Sequence, residues 1–169
     1  MCLFVAVLFL TSPQVAFAKV QPQRADLKNA YDIIEVTPFQ IAQGIDLPAE
    51  YMQSMMDGIV KDLRRTKKFK YVLGPGDAKR TDTSRTIQLL GTVNQYKHGN
   101  RGKRLVALGL AGDTKIVAHV KFVDKQTGEL LVEADVDGQI YTGVLGGSPN
   151  GAPSGIGKDV AKIAKKVFF

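Results

Sequence analysis

The sequence predicts an α+β fold: a single, mainly antiparallel sheet of about five strands with two amphipathic helices packed on it, in the order β-α-β-β-β-β-α. Three observations carry that expectation. Two segments, ending near Leu63 and near Val167, repeat their apolar residues at steps of three and four, the spacing of one helix face. Between them, several runs alternate apolar and polar residues as half-buried strands do. Two of those runs are joined by a short loop containing a glycine, the mark of an antiparallel hairpin.

The first strand is expected in "YDIIEVTPFQI", a β-branched and aromatic run in which Pro38 hints at an edge or a bulge. Asp46 is placed to cap the first helix, with Pro48 in its first turn, and Tyr51, Met52, Met55, Met56, Ile59, Val60 and Leu63 form its apolar stripe. Arg64, Arg65, Lys67 and Lys68 mark its end, where cations suit the negative pole of the helix dipole. Phe69, Tyr71 and Leu73 then alternate into a short strand stopped by Gly74-Pro75-Gly76.

Ile87, Leu89, Gly91 and Val93 give the buried face of the next strand, with Leu90 the one apolar residue on its polar side. Ile116, Ala118, Val120 and Phe122 share one face of the following strand, and Leu130, Val132, Ala134, Val136 and Ile140 one face of its partner. "DKQTG" joins the pair, with Gly128 available for positive φ. A register pairing Phe122 with Leu130 would set His119 opposite Glu133 and Lys115 opposite Asp137 on the outer surface. A glycine-rich stretch, 143–157, leads into the last helix, where Ser154 is expected to cap and Asp159 to sit near the positive pole. Ile156, Val160, Ile163, Ala164 and Val167 form its stripe.

Residues 1–18 carry no charge, run apolar from Leu3 to Leu10 and end in Ala16-Phe17-Ala18, the pattern of a cleaved signal peptide, although no basic residue precedes the apolar run. That apolar run is too short to span a bilayer, which takes about 20 residues. Residues 19–30 read as a flexible leader and 31–169 as one domain. The only cysteine, Cys2, lies before the apolar run rather than after it, so a lipid anchor on it is not expected. Removing the signal leaves no thiol, so neither disulfides nor thiol chemistry are available. The formal net charge of +7 points toward anionic partners.

The segment "GKRLVALGLAGDTKIVAHVKFVDKQTGELLVEADVDGQ" combines an apolar glycine-containing run, a strand, an Asp-x-x-Thr-Gly hairpin at Asp124, Thr127 and Gly128, and a returning strand. In this order, and with the "GVLGG" and C-terminal helix that follow, it resembles the bacterial envelope proteins grouped as domain of unknown function 4410. The resemblance covers residues 31–168. It implies an exported module of the periplasm or the outer-membrane periphery of a Gram-negative bacterium, and it carries no catalytic residues to transfer.

"GAPSGIGKDV", 151–160, matches a phosphate-binding loop at Ala152, Gly157 and Lys158, but Asp159 stands where the hydroxyl ligand to Mg²⁺ belongs. A carboxylate there repels a triphosphate. "GGSPNG", 146–151, misses the nucleophile elbow at its fifth position, and Pro149 has no N–H to offer an oxyanion. His119, Glu133 and Asp135 could cluster around a metal, but a cross-strand ion pair explains them more simply. The expectation is therefore a non-enzymatic binding or assembly module with no cofactor, no metal and no catalytic residue, whose envelope partner the sequence does not identify.

The basic stretches "KDLRRTKKFK" and "KHGNRGKR" read first as a solvated helix end and a loop. As a site, Lys67, Lys68, Arg101, Lys103 and Arg104 would contact anionic lipid or lipopolysaccharide, with the neighbouring apolar run 105–112 either covering the sheet or meeting a membrane. Nucleic acid is not expected, because the chain is read as exported and has no binding motif.

Overall fold

A computed structural model describes residues 25–78, 84–97, 114–140 and 155–169. The predicted signal 1–18, most of the leader, the basic and apolar stretch 98–112 and the glycine-rich run up to residue 154 lie outside the described residues. The elements are β1 (Ile33–Val36), β2 (Gln40–Ile41), α1 (Ala49–Arg65), β3 (Tyr71–Leu73), β4 (Thr86–Lys97), β5 (Thr114–Asp124), β6 (Leu130–Ile140) and α2 (Ile156–Phe168).

One six-stranded sheet, in the order β3-β1-β4-β5-β6 with β2 also on β4, carries both helices on one face. It is mostly antiparallel, as expected, but mixed, because it also holds parallel pairs that the sequence did not indicate. β4, β5 and β6 run antiparallel, but β1 is parallel to both β3 and β4, and β2 is parallel to β4. The physical reason is α1: a helix between β1 and β3 is a crossover that returns the chain in its starting direction. All four residues of β1 are buried, the pattern of a strand covered on both faces.

The run 31–41 yields two strands rather than one, because Thr37-Pro38-Phe39 leaves the ladder. β1 and β2 lie end to end along β4, pairing with Thr86–Leu89 and Thr92–Val93 respectively. Thr37 bridges the break, donating both its N–H and its hydroxyl to the carbonyl of Leu89 at 3.0 and 2.8 Å. Phe39 then turns its ring onto Gly91, where a Cβ would lie 2.4 Å from the ring carbons. Only glycine admits that contact.

Most of both helix stripes is buried as expected, and Tyr51, Met52 and Ile163 are partly buried against the core. Met55, Met56, Ile59, Val60 and Leu63 of α1 and Ile156, Val160, Ala164 and Val167 of α2 pack on Ile34, Ile87, Leu89, Phe122 and Ala134 of the sheet. The helix starts differ from expectation. α1 starts after Pro48 and α2 after Gly155, neither with a side-chain cap, so Asp46 does not cap the first and Ser154 lies outside the described residues. Gly155 takes φ 138°, and a Cβ on it would lie 2.8 Å from the Asp137 carbonyl, so β6 closes tightly on the start of α2.

Two further expectations are corrected. In β3 Val72 is the buried residue and Tyr71 points outward, the reverse of the expected parity, because Val72 pairs with Ile34 on the core face. The leader does not extend through residue 30: Leu27 is buried, and the Asn29 N–H donates to the Phe168 carbonyl at 2.8 Å. Burying Leu27 stabilises that contact by removing apolar surface from water.

Candidate functional site

Among the described residues, the helices cover one face of the sheet; on the other face β1 is buried, while β4, β5 and β6 present polar side chains. Side chains alternate across a strand, so Leu90 and Thr92 of β4, Lys115, His119 and Lys121 of β5, and Glu133, Asp135 and Asp137 of β6 share that other face. The hairpin register differs from the expected one by two residues. Phe122 pairs with Val132 and His119 with Asp135, because the turn closes Asp124 against Glu129 and Leu131 is an extra residue between the pairs Val123–Leu130 and Phe122–Val132.

A two-residue slip keeps every side chain on its face, so the expected charge pairs survive as diagonals. His119 lies between two carboxylates, its Nδ1 2.8 Å from Asp135 and its Nε2 3.4 Å from Glu133. Lys115 reaches Asp137 at 3.0 Å, and Lys121 reaches Glu133 at 3.8 Å. Exposed pairs of this kind are each worth about 0–1 kcal/mol, so they organise the surface more than they hold the fold. Among the described residues, no group of three or more His, Cys, Asp or Glu side chains is arranged to hold a metal ion.

Beside this network, the break between β1 and β2 opens a groove of ≈ 210 Å³. Thr37, Pro38 and Gln40 form one wall, Leu90, Gly91 and Thr92 the floor, and His119 and Lys121 the far side. The sequence did not reveal this groove. Pro38 was the one local signal, and it marks a break without saying which residues of β4 and β5 lie under it.

The end of the sheet nearest the β5–β6 turn holds a second polar group. Lys125 donates to Glu35, and both side chains are largely buried. The Tyr31 hydroxyl donates to Asp124 at 2.8 Å, and Arg85 grips Asp32 with two bonds of 2.7 and 3.0 Å. The Arg85 hydrogen bonds hold the Asp32 carboxyl below the usual range. Burial pushes Asp124 up, but the N–H groups of Thr127 and Gln126 and the Tyr31 hydroxyl together outweigh it and leave it lowered. Burial, with the Asp124 charge beside it, raises the Tyr31 phenol, so the hydroxyl stays a donor.

Of the predicted anion contacts, Lys67 and Lys68 are exposed just past α1, Lys67 at φ 53° and the Lys68 ammonium 5.6 Å from the centre of the Phe169 ring. Arg101, Lys103 and Arg104 lie outside the described residues. The glycine of the phosphate-loop match serves packing: a Cβ on Gly157 would lie 2.7 Å from the Gly58 carbonyl of α1. Asp159 is raised first by burial and then by Asp137. β6, the strand before that loop, runs antiparallel to its neighbour β5. No helix among the described residues is long and apolar enough to cross a membrane.

The backbone is similar to that of the PelC dodecamer from Paraburkholderia phytofirmans, at 13% identity over 88% of this chain and 94% of that one, with a TM-score of 0.56. It is also similar to the hypothetical protein CT253 from Chlamydia trachomatis, at 9% identity over 82% of this chain and 98% of that one, with a TM-score of 0.51. At such identities the likeness is one of fold. No curated protein matches the chain. The family model described as "Domain of unknown function (DUF4410)" matches residues 18–144. That match spans well over half of the sequence, and the chain belongs to the DUF4410 family.

Proposed function

We propose that the chain is an exported module of the bacterial envelope that binds a partner or assembles through the sheet face opposite the described helices, with no chemistry of its own. The observation that carries this reading is that, among the described residues, both helices lie on one face and the other presents a groove edged by Thr37, Gln40, Thr92, His119 and Lys121. Concave sites with a few convergent polar groups are the default place for recognition. The apolar run from Leu3 to Leu10 and Ala16-Phe17-Ala18 support export. That PelC, a protein of similar fold, is a dodecamer supports assembly as one mode of use.

Filling the groove tests the reading. Thr92→Arg places a long cation on its floor while leaving the core face of β4 untouched. Wild type and variant would be compared by affinity capture from envelope fractions and by light scattering over a range of concentrations. A captured partner, or an assembly, that is lost in Thr92→Arg with an unchanged circular dichroism spectrum supports the sheet face. Equal capture and equal mass for both proteins sink it.

A further inference from the structure

The helical layer carries a second surface, on the side of the molecule away from that groove. α1 and α2 lie side by side and run the same way. Near the start of α2, Gly157 meets the Gly58 carbonyl in the second half of α1; beyond both C-termini, Phe169 packs edge-on against Phe69 with ring centroids 5.1 Å apart. Each helix turns its apolar stripe to the sheet and small residues such as Gly157 to its neighbour, and its outer positions face water.

Those positions are uniform in charge. The exposed residues of α2 are Lys158, Lys162, Lys165 and Lys166, and no other residue type. Their spacing puts them along one stripe. In α1 the exposed residues from Lys61 onward are Lys61, Arg64 and Arg65, whereas its acidic exposed residues, Glu50 and Asp57, lie in the first half. Because the helices are parallel, the cationic half of α1 lies next to the lysine stripe. Of these cations Arg64 bonds Asp77 at 3.2 Å and the Val72 carbonyl at 3.1 Å, and Arg65 bonds Asp62 at 3.4 Å, while Asp159 is half-buried near Asp137 and Lys162.

Helix stability accounts for part of this pattern only. Cations in a last turn complement the helix dipole, which covers Arg64, Arg65, Lys165 and Lys166. Lys158 sits in the first turn of α2, where a cation opposes the dipole. Four lysines on one stripe also repel one another. A lysine stripe that helix stability does not account for fits an external anion.

We infer that the helical layer is an electrostatic docking surface for a bilayer containing anionic phospholipid. Lysine ammonium groups are hydrated point charges that meet headgroup phosphates without fixed geometry, which suits a flat, fluid array of anions better than one folded ligand. The large apolar side chains exposed among the described residues, Ile41, Tyr71 and Leu130, are all on strands and none is on the helical layer. Docking is therefore adsorption to headgroups without insertion, and it weakens with salt.

The test uses the purified protein with its amino-terminal segment as the cell leaves it. Sedimentation with vesicles of phosphatidylcholine alone, and of phosphatidylcholine with phosphatidylglycerol, would be measured at about 0.05 and about 0.5 M salt. Lys162→Gln/Lys165→Gln is compared with Lys115→Gln/Lys121→Gln, which removes the same charge from the opposite face. The expected result is salt-sensitive binding to the anionic vesicles alone, lowered roughly twentyfold by the helix pair at low salt and by less than about twofold by the sheet pair.

Equal losses in the two variants would reduce the effect to net charge and overturn the proposal. So would a wild type that ignores phosphatidylglycerol, or one that binds soluble heparin but not anionic vesicles. Circular dichroism and melting of both variants show that each is folded, so that a loss of binding reads on the surface alone.

Discussion

The hydroxyl of Tyr31 donates to the carboxylate of Asp124 at 2.8 Å, tying the second residue before β1 to the turn of the β5–β6 hairpin across 93 positions of sequence. Asp124 also accepts the N–H groups of Gln126 and Thr127 at 2.8 Å each, so one side chain both shapes the turn and anchors the first strand. The turn motif thus has a tertiary role that its local sequence does not reveal.

Tyr31→Phe is expected to cost about 1–2 kcal/mol at neutral pH, the worth of a hydrogen bond to a charged acceptor. The folded pKa of Asp124 is lowered, so its stabilisation is present above the unfolded value of about 3.9 and is lost as pH falls through the depressed folded value. Removing the Tyr31 donor raises that folded value. The variant's deficit in urea unfolding should therefore shrink at acid pH; the same deficit at neutral and acid pH would refute the account.

Gly58 and Gly157 touch across the helix pair, yet the same substitution should act oppositely at each. A Cβ on Gly58 meets nothing within 4 Å, so Gly58→Ala should stabilise by about 0.5–1 kcal/mol through helix propensity. A Cβ on Gly157 meets the Gly58 carbonyl at 2.7 Å and an Asp62 carboxylate oxygen at 2.8 Å, so Gly157→Ala should destabilise by about 1–3 kcal/mol. Thermal melts of the two variants moving in the same direction would contradict this packing.

Among the described residues, Glu35 and Lys125 form the ion pair that is most withdrawn from water, with side chains 10% and 18% exposed. Lys125→Met strands a buried carboxylate and should cost about 3 kcal/mol, whereas Glu35→Leu/Lys125→Met should fall within about 1 kcal/mol of wild type. Denaturant titration of the single and double variants decides it. A double variant as unstable as the single one would show that the pair is not a closed unit.

Nucleotide binding at residues 152–159 is testable by melting. Because Gly157 is taken up by helix packing and Lys158 stands on the outer stripe of α2, Mg-ATP should leave the melting temperature of wild type and of Lys158→Ala unchanged. A rise in wild type that Lys158→Ala abolishes would restore the phosphate-loop reading.

The sequence by itself determined what depends on neighbours along the chain. The stripes of Met55 to Leu63 and Ile156 to Val167, the alternation of β4, β5 and β6, and the turn at Gly128 are set by local periods and local backbone freedom. Tertiary structure decided which strands meet and in which sense. Alternation has a period of two, so it cannot distinguish parallel from antiparallel, nor detect the two-residue slip that sets His119 opposite Asp135. The groove under Thr37 and Pro38, the ring of Phe39 on Gly91, the Glu35–Lys125 pair and the merging of two cationic helix faces all join residues far apart in sequence. Their energies depend on distances that exist only once the chain has folded.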